Sequence, residues 1–137
     1  MELDADTGLP RFNMPFELGL FLGAKRYGEG RQKRKRLAIF DQERFRYQKS
    51  LSDISGQDIQ SHNGEIAKII KCTRDWLDSH RDKRKPRLPG ARHISKSYEA
   101  YKAVLPAICD ENKLHHSELS YNDMWEMMTE WLVAEAS

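Results

Sequence analysis

The stretch LAIFD, residues 37–41, decides the fold class. Four apolar residues followed by an aspartate are typical of a short buried strand, because a strand covered on both faces shows no alternation of polar and apolar side chains. We therefore predict a strand over residues 36–41, buried on both faces. Asp41 would then lie at the carboxyl end of a strand in a parallel sheet, where α/β proteins place ligand-binding side chains.

A helix precedes this strand. Residues 16–28, FELGLFLGAKRYG, are mostly apolar, and Pro15 is preset for a first helical turn. We predict a helix over residues 14–27, ended by a glycine. A helix, a charged connector and a strand make half of a βαβ unit.

Three more helices are expected further along the chain. Apolar residues recur three or four positions apart over residues 64–79, 95–111 and 121–134. Pro106 should end or kink the second of these helices, and Ser120 is suited to cap the third.

The predicted fold class is therefore α/β and predominantly helical, with one or two short parallel strands. Residues 46–51 fit either a second strand or a short helix. A chain of 137 residues is enough for one domain with one core. We expect a single domain over residues 1–137, with a helix–strand core at 1–60 and C-terminal helices at 61–137.

Composition limits the compartment and the partners. No apolar run approaches the length of a membrane span, and the N-terminus MELDADTGLP is unlike a secretory signal. The two cysteines, Cys72 and Cys109, match no metal spacing. We expect a cytoplasmic protein without a membrane partner, with two free thiols and no bound metal.

Glu17 is the candidate catalytic residue, and its position allows two interpretations. In the first, its carboxylate stabilises the positive end of the helix dipole by about 0.3–1 kcal/mol, and Asn13 is a simple helix cap. In the second, Glu17 lies at the mouth of a cleft over the strand ends. There it would bind ribose hydroxyls, or stabilise the cationic sugar that forms when an N-glycosidic bond breaks.

The motif NMPFELGLFLG at residues 13–23, followed by a basic gap and LAIFD, resembles the central helix–strand unit of bacterial TIR-like and nucleoside deoxyribosyltransferase-like domains. The similarity, shared with a bacterial family that carries the NMPFELG motif, covers about residues 9–62. It implies the C-terminal portion of a flavodoxin-like three-layer fold whose first strands are missing from this chain.

The resemblance also implies a function. In catalytic members of the superfamily the glutamate of the motif acts on the glycosidic bond of NAD or a nucleoside, which gives that role to Glu17 and places Asn13 in the preceding turn. A role in bacterial stress or phage defence follows from the same resemblance. Because the first strands are missing, cleavage is not expected of this chain alone.

Other polar residues could line the same cleft. Asp53 and Asp58 follow the predicted strand, and with Asn13 and Asp41 they form the expected nucleotide-binding set, for which NAD or another nucleotide is the ligand and no further cofactor is expected. Asp58 and His62 are four apart and could share a helix face, but nothing nearby completes a metal site. Local turn capping is the alternative role for these residues.

Two basic runs, residues 31–36 and 81–87, support a second hypothesis, a non-enzymatic nucleic-acid or protein-binding module. Clustered cations displace counterions from phosphates, although few aromatic residues interleave with them for base stacking. The cations of the first run are Arg31, Lys33, Arg34, Lys35 and Arg36. A cleft around Glu17 would favour nucleotide handling, and a continuous basic face away from it would favour the module; an inactive helical scaffold is the third hypothesis.

Self-association is also expected. The helix at residues 14–27 is apolar nearly all round, and exposed apolar surface of that size normally marks an interface. We predict a two-fold dimer with a contact near Phe16, Leu20, Phe21 and Leu22.

Overall fold

The computed structural model describes residues 13–44 and 59–135. The helices are α1 (Asn13–Tyr27), α2 (Ile66–His80), α3 (Ala91–Glu111) and α4 (Tyr121–Glu135), and the strands are β1 (Ile39–Asp41) and β2 (Ile59–Ser61). Short 3-10 helices lie at Gln32–Arg34 and His116–Glu118. The fold is α/β and predominantly helical with two short parallel strands, which confirms the predicted class.

Contacts group the chain into two compact units, Met1–Pro86 and Arg87–Ser137, which are described separately below. The assignment of a single domain stays a prediction. Within the described ranges, each helix is too short or too polar to cross a membrane.

The two strands of the first unit pair in parallel, with Ile39 opposite Ile59 and Asp41 opposite Ser61. β1 is shorter than predicted, and the expected burial on both faces is wrong: Ile39 and Phe40 are half-buried and only Asp41 is buried. Two features explain this partial exposure. Within the described residues the sheet has two strands, so β1 pairs with β2 along one edge only, and Ile39 borders an open cleft. The segment 46–51 lies outside the described residues.

Helix α1 ends as the glycine signal predicts. The N–H of Gly28 donates to the carbonyl of Ala24 at 2.9 Å. A Cβ at residue 28 would lie 2.5 Å from that carbonyl oxygen and 2.8 Å from the Cβ of Gln32. Only a residue without a side chain therefore lets the chain turn here into the 3-10 helix Gln32–Arg34.

A tight turn links β2 to α2. Asn63 and Gly64 both adopt positive φ angles, 54° and 74°, which Asn and Gly tolerate better than other residues. The N–H of Asn63 donates to the carbonyl of Gln42 at 2.7 Å, so the turn is tied to the chain leaving β1.

In the second unit, α3 packs against α4. Tyr101, Cys109 and Met127 are buried, and the rings of Tyr101 and Trp131 lie 5.6 Å apart. Pro106 does not end α3, which continues to Glu111. Continuing the helix past the proline buries Cys109. The free energy of this packing outweighs the loss of the backbone hydrogen bond that Pro106 cannot donate.

The ends of these helices follow local capping rules. α3 terminates with Lys113 at a φ of 56° and a hydrogen bond from Leu114 N to Cys109 O, the pattern of a Schellman motif. Ser120 caps α4 as predicted: its Oγ accepts from Asp123 N at 3.2 Å, and the carboxylate of Asp123 accepts from Ser120 N at 2.8 Å.

Candidate functional site

The carboxyl ends of both strands meet at one edge of the sheet, and the polar residues there form the candidate site. Asp41 and Ser61 are register partners at that edge. Asp41 is 1% exposed, its Oδ1 accepts from Gln42 N at 2.8 Å, and its carbonyl accepts from His62 N at 3.1 Å. The buried carboxylate therefore fixes the chain at the exit of β1, which makes Asp41 a positioning residue for this edge.

His62 follows β2 and is half-buried. Its Nδ1 accepts from the N–H of Gly64 at 3.1 Å. In the neutral ring the proton then resides on Nε2, which leaves one N–H donor for a ligand. The interpretation that His62 shares a helix face with Asp58 is wrong, because the residues directly before His62, Ile59–Ser61, form a strand.

The turn after His62 leads into the N-terminus of α2. Backbone N–H groups at a helix N-terminus favour phosphate and carboxylate groups. The edge thus combines a hydrogen-bonded buried carboxylate, an imidazole N–H donor and the start of a helix, and the carboxyl ends of strands are where open α/β sheets bind their ligands.

Glu17 is an exposed residue of α1. Glu17 lies one residue past the first turn of α1, where the effect of the helix dipole is weaker; the dipole interpretation stays an alternative. Within residues 13–44 and 59–135, no hydrogen bond or ion pair joins Glu17 to Asp41.

The other members of the predicted set are not placed by the structure. Asn13 begins α1, but its side chain lies outside the described residues, as do Asp53 and Asp58. Of the predicted nucleotide-binding residues, only Asp41 is therefore located at the carboxyl edge.

A cleft of about 440 Å³ lies between the strand pair and α2. Leu37 and Ala38 line it from the amino end of β1, and Cys72, Trp76 and His80 line it from α2. The cleft is therefore displaced from the carboxyl edge, and Glu17 is not among its lining residues. Sequence reasoning missed it, although the four-residue spacing of Cys72, Trp76 and His80 marks one helix face.

Polar groups in this cleft are already engaged with one another. The thiol of Cys72 lies 3.9 Å from Gln60 Oε1, and Lys71 and Asp75 form an ion pair at 2.6 Å. The hydrogen bond in that pair raises the pKa of Lys71 and lowers the pKa of Asp75. Because these polar groups already have partners within the protein, they leave little hydrogen-bonding capacity for a ligand in the cleft.

The basic runs come together in the first unit. Arg36 Nη1 donates to the carbonyl of His80 at 3.2 Å. Arg36 is the last residue of the first run and His80 directly precedes the second run, so the two runs are close to each other. Arg81 and Arg84 are neutralised by Asp78 and Asp82, at 2.8 and 2.7 Å.

The remaining cations define a basic surface. All are exposed, and none pairs with a carboxylate within the described part of the chain. The members of this surface, all in the first compact unit, are Arg31, Lys33, Arg34, Lys35, Arg36, Lys83 and Lys85; the last cation of the second run, Arg87, belongs to the second unit.

Thiols and acidic groups do not assemble into a metal centre in the described ranges: no three His, Cys, Asp or Glu side chains converge there. Cys72 and Cys109 are free thiols, as predicted.

No protein-family model matches this chain, and no curated protein or solved structure is detectably similar to it.

Proposed function

We propose that this chain handles NAD or a nucleoside as a TIR-like α/β domain, in bacterial stress or phage defence. The observation that carries the proposal is the pairing of buried Asp41 with Ser61 at the carboxyl edge, directly ahead of the turn into α2. The NMPFELG motif, with its resemblance to TIR-like and deoxyribosyltransferase-like domains, supplies the ligand class.

Each group at the edge has a role in this proposal. The α2 N-terminus accommodates a phosphate, and the Nε2–H of His62 donates to a phosphate or ribose oxygen. Asp41 holds the N–H of Gln42 and thereby the shape of the edge. From the sequence alone, Asn13, Asp53 and Asp58 are assigned to the same ligand site.

Glu17 is the residue proposed to act in catalysis. Its exposed carboxylate stabilises the positive charge that develops on the sugar when the N-glycosidic bond breaks. Among the described residues, no hydrogen bond or ion pair joins Glu17 to Asp41, so sensing a nucleotide without cleaving it is the weaker form of the same proposal.

Titration of the intact chain with NAD and with adenosine tests this proposal. Saturable binding that weakens when the edge is altered supports it. Absence of binding to both ligands rejects it, whatever the activity of the chain toward other substrates.

A second function, binding of a nucleic acid, is favoured by the contact between Arg36 and His80. This contact brings the two basic runs together, and within the described residues the cations of the basic surface have no carboxylate partner. The first run also contacts α1, the helix that carries Glu17, where Lys35 lies over the ring of Phe21. Such a surface releases counterions from a phosphate backbone. Binding of a labelled oligonucleotide across a series of salt concentrations tests it.

A further inference from the structure

Helix α4 presents an apolar stripe that α3 does not cover. Its members recur at three- and four-residue intervals and are exposed, Tyr121 by 72% and Trp125 by 62%. The stripe consists of Tyr121, Met124, Trp125, Met128 and Leu132. Helix α3 contacts a neighbouring face of α4, on which Met127 is buried and the ring of Trp131 lies tilted against the ring of Tyr101.

We infer that this stripe is the interface between two copies of the chain, whose α3–α4 hairpins pack as a four-helix bundle. A single helical hairpin buries little, as the three buried apolar residues of this unit show. The inference is independent of the proposed nucleotide site, because the stripe belongs to the second compact unit.

The exposed area matches what a second copy needs. The five side chains of the stripe expose on the order of 600 Å² of largely apolar surface, given the usual size of such residues. A stable dimer buries about 800 Å² on each partner. The stripe therefore supplies most of a standard interface.

Charge placement favours an identical partner. The stripe contains no charged residue, and the helical repeat places Asp123, Glu126 and Glu130 about 100° or more around α4 from its members. Glu135, the last residue of α4, lies on the same face beyond Leu132. Over residues 121–132, two stripes can therefore face each other without bringing like charges together. A basic partner would find no carboxylate at the centre of the stripe.

The order of residues along α4 sets the direction of pairing. The large aromatic side chains, Tyr121 and Trp125, occupy the first half of the stripe, and Met128 and Leu132 occupy the second. Antiparallel packing places Trp125 against Met128 of the second copy, a favourable sulfur–aromatic contact. It also opposes the two helix dipoles, whereas parallel packing would align them.

Light scattering of the full chain at micromolar concentrations tests the inference. Wild type should show the mass of a dimer, and the double variant Trp125→Lys/Leu132→Lys should show that of a monomer. The matched control, Phe16→Lys/Leu20→Lys, alters the exposed residues of α1 at which the sequence predicts the dimer contact. Because the inferred contact lies on α4 instead, this variant should remain a dimer. A monomeric wild type, a dimeric α4 variant, or dissociation by the α1 variant would each overturn the inference.

Tryptophan emission on dilution provides a second readout, which does not depend on whether the lysine variants fold. Dilution of wild type should shift emission to longer wavelength as Trp125 leaves the interface. In Trp125→Phe, which keeps the stripe apolar, the dilution-dependent shift should disappear although Trp76 and Trp131 remain. A shift that persists in Trp125→Phe, or no shift in wild type, contradicts the assigned interface.

Discussion

Asp41 and Ser61 are register partners at the carboxyl ends of two parallel strands, and the carbonyl of Asp41 accepts the N–H of the residue that follows Ser61. This relationship joins the exits of both strands into one structure. It places the two chain segments that leave the sheet side by side, directly before α2. The location of the proposed nucleotide site depends on it.

The hydroxyl of Tyr101 provides a test of the second unit. It is buried and has no hydrogen-bond partner among the described residues. Burial, with a smaller effect from Cys109, raises the pKa of this phenol. Because an unsatisfied buried hydroxyl costs about 1–3 kcal/mol, Tyr101→Phe should leave the free energy of unfolding unchanged or raise it. Urea denaturation measures this, with Tyr98→Phe as the control on the same helix; a clear loss of stability in Tyr101→Phe alone would contradict the structure.

The reciprocal cap of α4 predicts a loss of stability on mutation. Ser120 and Asp123 exchange hydrogen bonds at 3.2 and 2.8 Å. Ser120→Ala removes the side-chain half of this cap and should destabilise the chain by about 0.5–2 kcal/mol. Thermal unfolding checks the value, and Ser117→Ala, in the preceding 3-10 helix, is the comparison variant.

The same cap predicts a pH dependence. Hydrogen bonds from the side chain and then the backbone of Ser120 lower the pKa of Asp123. A carboxyl whose folded pKa is lowered stabilises the fold fully above its unfolded pKa, and this contribution is lost as pH falls through the folded pKa. The stability difference between wild type and Asp123→Asn should therefore shrink on acidification; a constant difference would argue against the cap.

The sequence predicted those features that depend on local patterns. The four helices, the glycine stop at Gly28 and the Ser120 cap all follow from residues close together in the chain. β2 escaped prediction because the polar segment Ile59–Ser61 is a strand only through its pairing with β1. The extent of α3 beyond Pro106 likewise depends on packing of Cys109, which no local rule contains.

The candidate site was predictable only in part. The apolar run ending in Asp41 predicted a strand with this carboxylate at its carboxyl end, and the structure has Asp41 there; that the edge binds a ligand stays a prediction. The contact of Arg36 with His80 joins residues 44 positions apart, so the meeting of the basic runs could not be read from either run. On α4, periodicity predicted an apolar face over residues 121–134, but it did not predict that α3 packs against the face beside it.

The basic surface predicts a salt-dependent affinity for nucleic acid. If it binds a phosphate backbone, the logarithm of the association constant should fall linearly with the logarithm of salt concentration. Lys33→Gln should reduce the magnitude of that slope by about one, the contribution of one phosphate contact, without altering sequence preference. Fluorescence anisotropy measures both, and Lys113→Gln, in the second compact unit, is the matched control; equal slopes in the two variants would remove Lys33 from the interface.

Glu17 should separate binding from cleavage. Glu17→Gln is nearly isosteric, and because Glu17 is exposed, the folded state should be almost unaffected. Affinity for NAD should persist, while any cleavage of the glycosidic bond should fall about a hundredfold to a thousandfold. Product analysis after long incubation measures this. Equal cleavage by both proteins would exclude a catalytic role for Glu17, and binding without cleavage in wild type would identify a sensor.

The most direct test of the central claim is calorimetric titration of NAD into wild type and three variants of the intact chain. Asp41→Asn keeps an acceptor for the N–H of Gln42 and should bind nearly as wild type does. Asp41→Ala and His62→Ala should each bind about tenfold or more weakly, equivalent to about 1.4 kcal/mol or more. Circular dichroism checks that each variant is folded.

The exposed carboxylate variant Asp82→Asn, beyond the far end of α2, serves as the control in that titration. The account predicts that wild type and Asp82→Asn bind NAD equally, and that both alanine variants at the carboxyl edge lose affinity. Undiminished binding by folded Asp41→Ala and His62→Ala, or no binding by wild type, would contradict a nucleotide site at this edge.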